Sequence, residues 1–227
     1  MVPPPGEDDR SEVDGDPPHD DARPAKDPRP LSRAGIEAQN RFLLRRYREF
    51  RIAADCVTAP FRDHPHVLAV SLIGSVARDP WKEVPRFSPW GRARVELWHE
   101  CKDVDLALWL SDLADLNGLR RAKARALQGL LRREKIGVAD HQVDVFLLEP
   151  ASDRYLGRLC RFNACPKGKP ECRVPGCGEA GWLQQHEDFV WRPDTLAPGR
   201  AVRLFDRASG IRASAAELPL PDGGGEG

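Results

Sequence analysis

The segment Lys102-Asp103-Val104-Asp105-Leu106-Ala107-Leu108 sets two carboxylates one apolar residue apart at the entrance to an apolar run. Side chains alternate along an extended strand, so both acids share one face while Val104, Leu106 and Leu108 take the other. Like charges a few ångströms apart repel, and solvent or a divalent cation compensates them. Oxygen-only ligands favour Mg²⁺ or Mn²⁺, which keep waters and also bind substrate phosphates. A lone carboxylate, Asp144, stands in a second apolar run, Gln142-Val143-Asp144-Val145-Phe146-Leu147-Leu148. If the two strands are neighbours, it completes a three-carboxylate site. The bland alternative is that each Asp marks a strand entrance or a solvated sheet face, although Asp is depleted within strands.

A third feature precedes these acids. In Ser71-Leu72-Ile73-Gly74-Ser75-Val76-Ala77-Arg78 an apolar run delivers Gly and Ser into a turn expected to open a helix. Gly74 permits close backbone approach, and Ser75 with the free N–H groups of a helix start can hold phosphate oxygens. Arg78 can add a charge-assisted contact. Taken alone, a Gly-Ser pair after a strand is commonly just a turn.

Four of the six cysteines form a separate cluster, Cys160-x₄-Cys165-x₆-Cys172-x₄-Cys177. Four thiolates suffice for a tetrahedral structural zinc, and Lys167, Lys169 and Arg173 would temper the charge of such a site. His186 is a substitute ligand. Free cysteines and, in an oxidising compartment, disulfides are the competing readings.

The elements that must position these groups follow from periodicity. Ile36, Leu43, Tyr47, Phe50, Ala54 and Val57 mark one face of a helix over 35–59, with Arg45, Arg46, Arg48 and Arg51 expected on a solvated face and Pro60 expected to end it. Strands are predicted at 66–73, 104–110 and 142–148, with a helix over 113–134 carrying Leu116, Leu119, Ala122, Ala126 and Leu130 on one face. This alternation indicates an α/β or α+β sheet domain. A connection containing Trp81, Phe87, Pro89, Trp90 and Trp98 separates the Gly-Ser turn from the acid pair, long for a compact domain. Its tryptophans are expected to anchor the loop to the core rather than stack a nucleobase. His141 is read as an exposed turn histidine before it is read as a proton-transfer group.

In their order and apolar flanks, Gly74-Ser75, Asp103-x-Asp105 and Asp144 resemble the nucleotidyltransferase superfamily that includes DNA polymerase beta, in particular its minimal bacterial members. The resemblance spans roughly 36–150, and Arg203-Leu-Phe-Asp-Arg207 looks like the final strand of such domains. It implies an α+β fold, a mixed sheet flanked by helices, here with a small cysteine-rich, zinc-knuckle-like insertion. It also implies an enzyme that moves a nucleoside monophosphate from a nucleoside triphosphate, with ATP the expected one, to an acceptor that is a small molecule, a nucleic-acid end or a protein. Asp103, Asp105 and Asp144 would carry Mg²⁺ or Mn²⁺ and the catalysis; Gly74, Ser75 and Arg78 would hold the phosphates. Small members usually have a second glycine after Gly-Ser and a shorter link to the acids, where this chain has Arg78-Asp79-Pro80 and the tryptophan-rich segment. The alternative is a non-catalytic protein that keeps the fold as a binding or regulatory partner, for instance of a toxin.

The implied organisation is a disordered tail over 1–33, a domain over 34–212 with insertions at 79–101 and 158–190, and a disordered tail over 213–227. The first tail holds eight prolines, nine acidic and five basic residues and almost no large apolar side chain. The 35 basic and 35 acidic residues cancel, so no global positive field attracts nucleic acid. No long apolar window and no signal-peptide pattern occurs, so no membrane contact and a cytoplasmic location are expected.

Overall fold

A computed structural model of the chain describes residues 32–86 and 90–221. The tail over 1–31, Phe87 and Pro89 of the insertion, and the glycine-rich end from 222 lie outside the described residues. The elements run α1 (Arg33–Arg62), β1 (Val67–Ile73), α2 (Gly74–Ala77), β2 (Lys82–Glu83), α3 (Trp90–Ala93), β3 (Leu97–Trp98), β4 (Val104–Leu110), α4 (Leu116–Glu134), β5 (Val143–Leu148), β6 (Tyr155–Leu159), β7 (Leu183–Gln184), β8 (Val202–Asp206) and β9 (Gly210–Ile211).

Helix α1 begins where the Ser32 hydroxyl accepts the Gly35 N–H, and its apolar stripe buries Leu43, Tyr47, Phe50, Ala54 and Val57. Two expectations need correction here. Pro60 lies inside the helix, which runs on to Arg62. So close to the end, the missing N–H forfeits one ladder bond while the fixed φ still suits a helix. Arg51 is not on a solvated face but is 1% exposed. Its guanidinium donates to the carbonyls of Val76, Arg78, Leu218 and Pro219. Arg46 also reaches inward, donating to the Gly137 carbonyl at 2.7 Å and to Gln142 Oε1 at 2.9 Å.

Seven strands form one sheet in the order β7-β6-β5-β4-β1-β8-β9. It is mostly antiparallel; β4 and β5 form the parallel pair. Helix α4 is the crossover that makes them parallel, because a strand must travel back along the sheet before it can run the same way again. Alternation then sorts the side chains. Val70, Leu72, Leu106, Leu108, Val145 and Leu147 join α1 and α4 in the larger core. The other face carries Ala69, Ile73, Ala107, Trp109, Phe146 and Leu148, packed against Phe189, Trp191 and Leu196 of the irregular segment that follows β7. Lys123 of α4, apolar-stripe by position, is buried with its ammonium on the carbonyls of Asp140 and Val143 and on the Asp140 carboxylate at 3.2 Å.

Residues 214–221, assigned to the tail from sequence, dock on the domain. Asp55 accepts the Ser214 hydroxyl and the N–H groups of Ala215 and Ala216, Ala215 is fully buried, and Arg51 holds Leu218 and Pro219. Leu218 and Leu220 pack against the larger core, and the hydrogen bonds to Asp55 and Arg51 are ones that periodicity does not reveal. No described helix is long and apolar enough to cross a membrane.

Candidate active site

Topology brings the three sequence features to one end of the sheet. Strands β4 and β5 run parallel with Asp105 opposite Asp144, and neighbouring strands lie about 4.8 Å apart. Strand β1 runs antiparallel to β4 with Ile73 opposite Asp105, so the carboxyl end of β1 meets the amino end of β4. The Gly74-Ser75 turn is therefore delivered beside the acids. Gly74 has φ +73°, and a Cβ there would stand 2.3 Å from Asp105 Oδ2. A side chain at this position would both strain the backbone and displace the carboxylate.

Asp105 is half-buried, on the face with Ala107 and Trp109, while Val104, Leu106 and Leu108 pack into the larger core. Its pKa is pushed up to about 7, by burial first and then by the charges of Asp144 and Asp103, with Arg158 opposing. Asp103 precedes the strand and is exposed. Partial burial and then Asp144 raise its pKa, and His141 and Lys102 pull it down. The corner thus carries more negative charge than its surroundings satisfy. His141 is exposed in a short 3₁₀ turn over Asp140–Gln142.

Sequence reading missed Arg158. It lies on β6 opposite Phe146, so it shares the acid face, and its Nη1 donates to Asp144 Oδ2 at 2.8 Å. The guanidinium also lies over the rings of Phe146 and Phe189, 4.4 and 4.6 Å from their centroids. The apolar alternation of Tyr155-Leu-Gly-Arg-Leu159 was a weak signal for this strand. No spacing rule points from Arg158 to Asp144, because a hairpin closed by Glu149 and Arg154 joins them.

The predicted phosphate residues separate. Helix α2 is a single turn, Gly74–Ala77. Ser75 is half-buried within it, and burial pushes up the thiol of Cys101 at the end of the insertion. Arg78 is exposed, donates back to the Gly74 carbonyl at 3.4 Å and lies 4.8 Å from the Trp81 ring centroid. Trp81 stacks on His99 with centroids 4.0 Å apart, and the Trp98 N–H is fixed by Asn40 of α1 at 2.9 Å. These contacts tie the insertion to α1 and to the Gly-Ser turn. A cavity of about 690 Å³ is lined by Leu43, Trp90, Trp98, His99 and Lys102, the residue before Asp103, among others.

Among the described residues, no three His, Cys, Asp or Glu side chains already stand around a common metal position. At the acid corner, Asp144 is turned onto Arg158. The donor set nonetheless suits a hard cation: oxygen ligands, with the pKa values of Asp103 and Asp105 raised by burial and by the neighbouring carboxylates. His186 does not line the cysteine cavity. It lies instead within the field of Arg158 and Asp144, with its pKa lowered by burial first. Comparison of the chain with protein-family models, with curated proteins and with solved structures finds no match.

Proposed function

We propose that the chain is a metal-dependent nucleotidyltransferase of the DNA polymerase beta kind, transferring a nucleoside monophosphate from a nucleoside triphosphate, such as ATP, to an acceptor. The observation that carries this reading is the convergence of Asp103, Asp105 and Asp144 with the Gly74-Ser75 turn at one sheet end. Asp103 and Asp105 would hold Mg²⁺ or Mn²⁺, and Asp144 would join them on release from Arg158. Such a cation, when bound, neutralises phosphate charge and lowers the pKa of an attacking hydroxyl. Gly74 lets the Asp105 carboxylate lie against the turn, where any Cβ would displace it. Ser75, and Arg78 on release from the Gly74 carbonyl and Trp81, would position the outer phosphates.

A second reading has its own observation. The Arg158–Asp144 ion pair gives the third acid a resident counter-charge, as expected of a nucleotidyltransferase-fold protein that binds or regulates a partner, antitoxin-like, without catalysis. Incubating the full chain with labelled nucleoside triphosphates, Mg²⁺ and candidate acceptors, beside Asp103→Ala and Asp105→Ala, separates the two. Transfer lost in both variants supports the enzyme; labelling undiminished in both defeats the assignment. Magnesium-dependent nucleotide binding with no transferred product selects the binding protein.

A further inference from the structure

We infer that Cys160, Cys165, Cys172 and Cys177 form a closed four-sulfur zinc site that cross-links the segment between β6 and β7. The four cysteines come from separate places: Cys160 directly after β6, Cys165 from the following turns, Cys172 from a 3₁₀ turn over Pro170–Arg173, and Cys177 between two turn glycines. All four line one cavity of about 330 Å³, whose other walls are Ala164, Pro166, Gly178 and Gly181. Small residues and thiols surround this space, and among the described residues no large apolar side chain lines it. All four thiols are free.

The segment needs a cross-link. Residues 160–182 contain little regular structure, and Phe162, Val174 and Trp182 are their main large apolar side chains. Such stretches do not hold a fixed shape by burial alone, and a tetrahedral metal is a common staple for them. The backbone is arranged around sulfur. The Trp182 backbone N–H donates to Cys165 Sγ at 3.3 Å. Amide donors of this kind stabilise thiolates bound to a metal. Gly176 and Gly178, both at φ +81°, turn the chain on either side of Cys177, and the Gly178 N–H is fixed to the Leu183 carbonyl at 2.8 Å.

Charge points the same way. Four thiolates around Zn²⁺ leave a net double negative charge, and Arg161, Lys167, Lys169 and Arg173 lie in the same segment against Glu171 and Glu179. The sulfurs do not yet stand around one metal position. All four cysteines line a shared space, and a change of χ1 rotamer moves sulfur without moving the backbone. Soft thiolate ligands in a tetrahedral set select zinc over the hard cation suited to the acid corner. Because Cys160 lies two residues beyond Arg158, the metal would also fix the end of β6 that presents Arg158 to Asp144.

The test is elemental analysis of the full chain purified under reducing conditions without chelator, together with Co²⁺ reconstitution. The expected result is about one zinc per chain. Co²⁺ should give the strong visible and sulfur-to-metal charge-transfer bands of a tetrahedral thiolate site. Cys172→Ser, with its far-UV circular dichroism retained, should weaken or shift those bands, and Cys56→Ser should leave them intact. Three results would each overturn the inference: no bound zinc and no tetrahedral Co²⁺ spectrum after reconstitution, iron as the stoichiometric metal, or a Co²⁺ spectrum unchanged when Cys172 and Cys177 are both replaced by Ser.

Discussion

Asp105 and Asp144 face each other across two strands whose register is fixed by backbone hydrogen bonds, whereas Cys160, Cys165, Cys172 and Cys177 sit on turns with few such bonds between them. Both groups crowd potential anions, but different forces gather them. At the acid corner the apolar alternation of β4 and β5 does the work: burying Val104, Leu106, Leu108, Val145 and Leu147 drives the strands together, and the acids are carried along on the opposite face. Their repulsion is imposed by the fold. In the cysteine segment little apolar burial is available, so the thiols themselves must supply the cross-link. The acid corner should therefore persist without a metal and be relieved by one, while the cysteine segment should depend on one.

The strongest way to break this contrast is Asp105→Asn. If the proposed chemistry holds, transfer falls by about 10³-fold or more, on the order of 4 kcal/mol of transition-state stabilisation, in a steady-state transfer assay. The fold should survive, and the zinc content of the cysteine segment should not change. A variant that loses both activity and zinc would mean that the two regions are one structural unit.

A pH series on chelator-treated protein probes the imposed repulsion. Asp105 holds its proton more tightly folded, at a pKa of about 7, than unfolded, where the ordinary value is 3.8. Its contribution therefore favours the fold at low pH and is lost as pH rises from about 4 through about 7, amounting to a few kcal/mol. Urea midpoints should fall across that window. Asp105→Asn should flatten the slope, and Mn²⁺ should raise the midpoint more at pH 8 than at pH 5.

Gly74→Ala is expected to destabilise by about 1–2 kcal/mol through the left-handed backbone alone, with further loss where its Cβ displaces Asp105. Chemical denaturation measures the first effect, and the transfer assay the second. The smallest expected change is Arg158→Ala. Breaking the partly buried pair with Asp144 should cost about 1 kcal/mol of stability and strengthen Mn²⁺ binding by roughly tenfold, read by calorimetric titration. Weaker Mn²⁺ binding would show that Arg158 positions Asp144 for a metal instead of standing in for one.

Much of the frame is legible in the sequence alone. The helical stripes of α1 and α4 and the apolar runs of β1, β4 and β5 follow from local periodicity, as does the sharing of one strand face by neighbouring acids. Arg51, Lys123 and Arg158 were not legible, because a charged residue read locally belongs in water, and each is paid for by distant carbonyls or carboxylates. The early end assigned to α1 and to the ordered chain failed for the same reason: Pro60 is tolerated by position, and 214–221 are held by Asp55 and Arg51.

By itself the sequence determined which groups could do chemistry: a carboxylate pair on one strand face, a third acid, a Gly-Ser turn and four clustered thiols. Only the tertiary structure decided which of them meet. The parallel crossover through α4 and the antiparallel pairing of β1 with β4 place Asp105, Asp144 and Gly74 at one sheet end, and the hairpin to β6 adds Arg158. Side-chain alternation is a local property with a period of two residues, whereas strand order and direction depend on burying the whole apolar face at once.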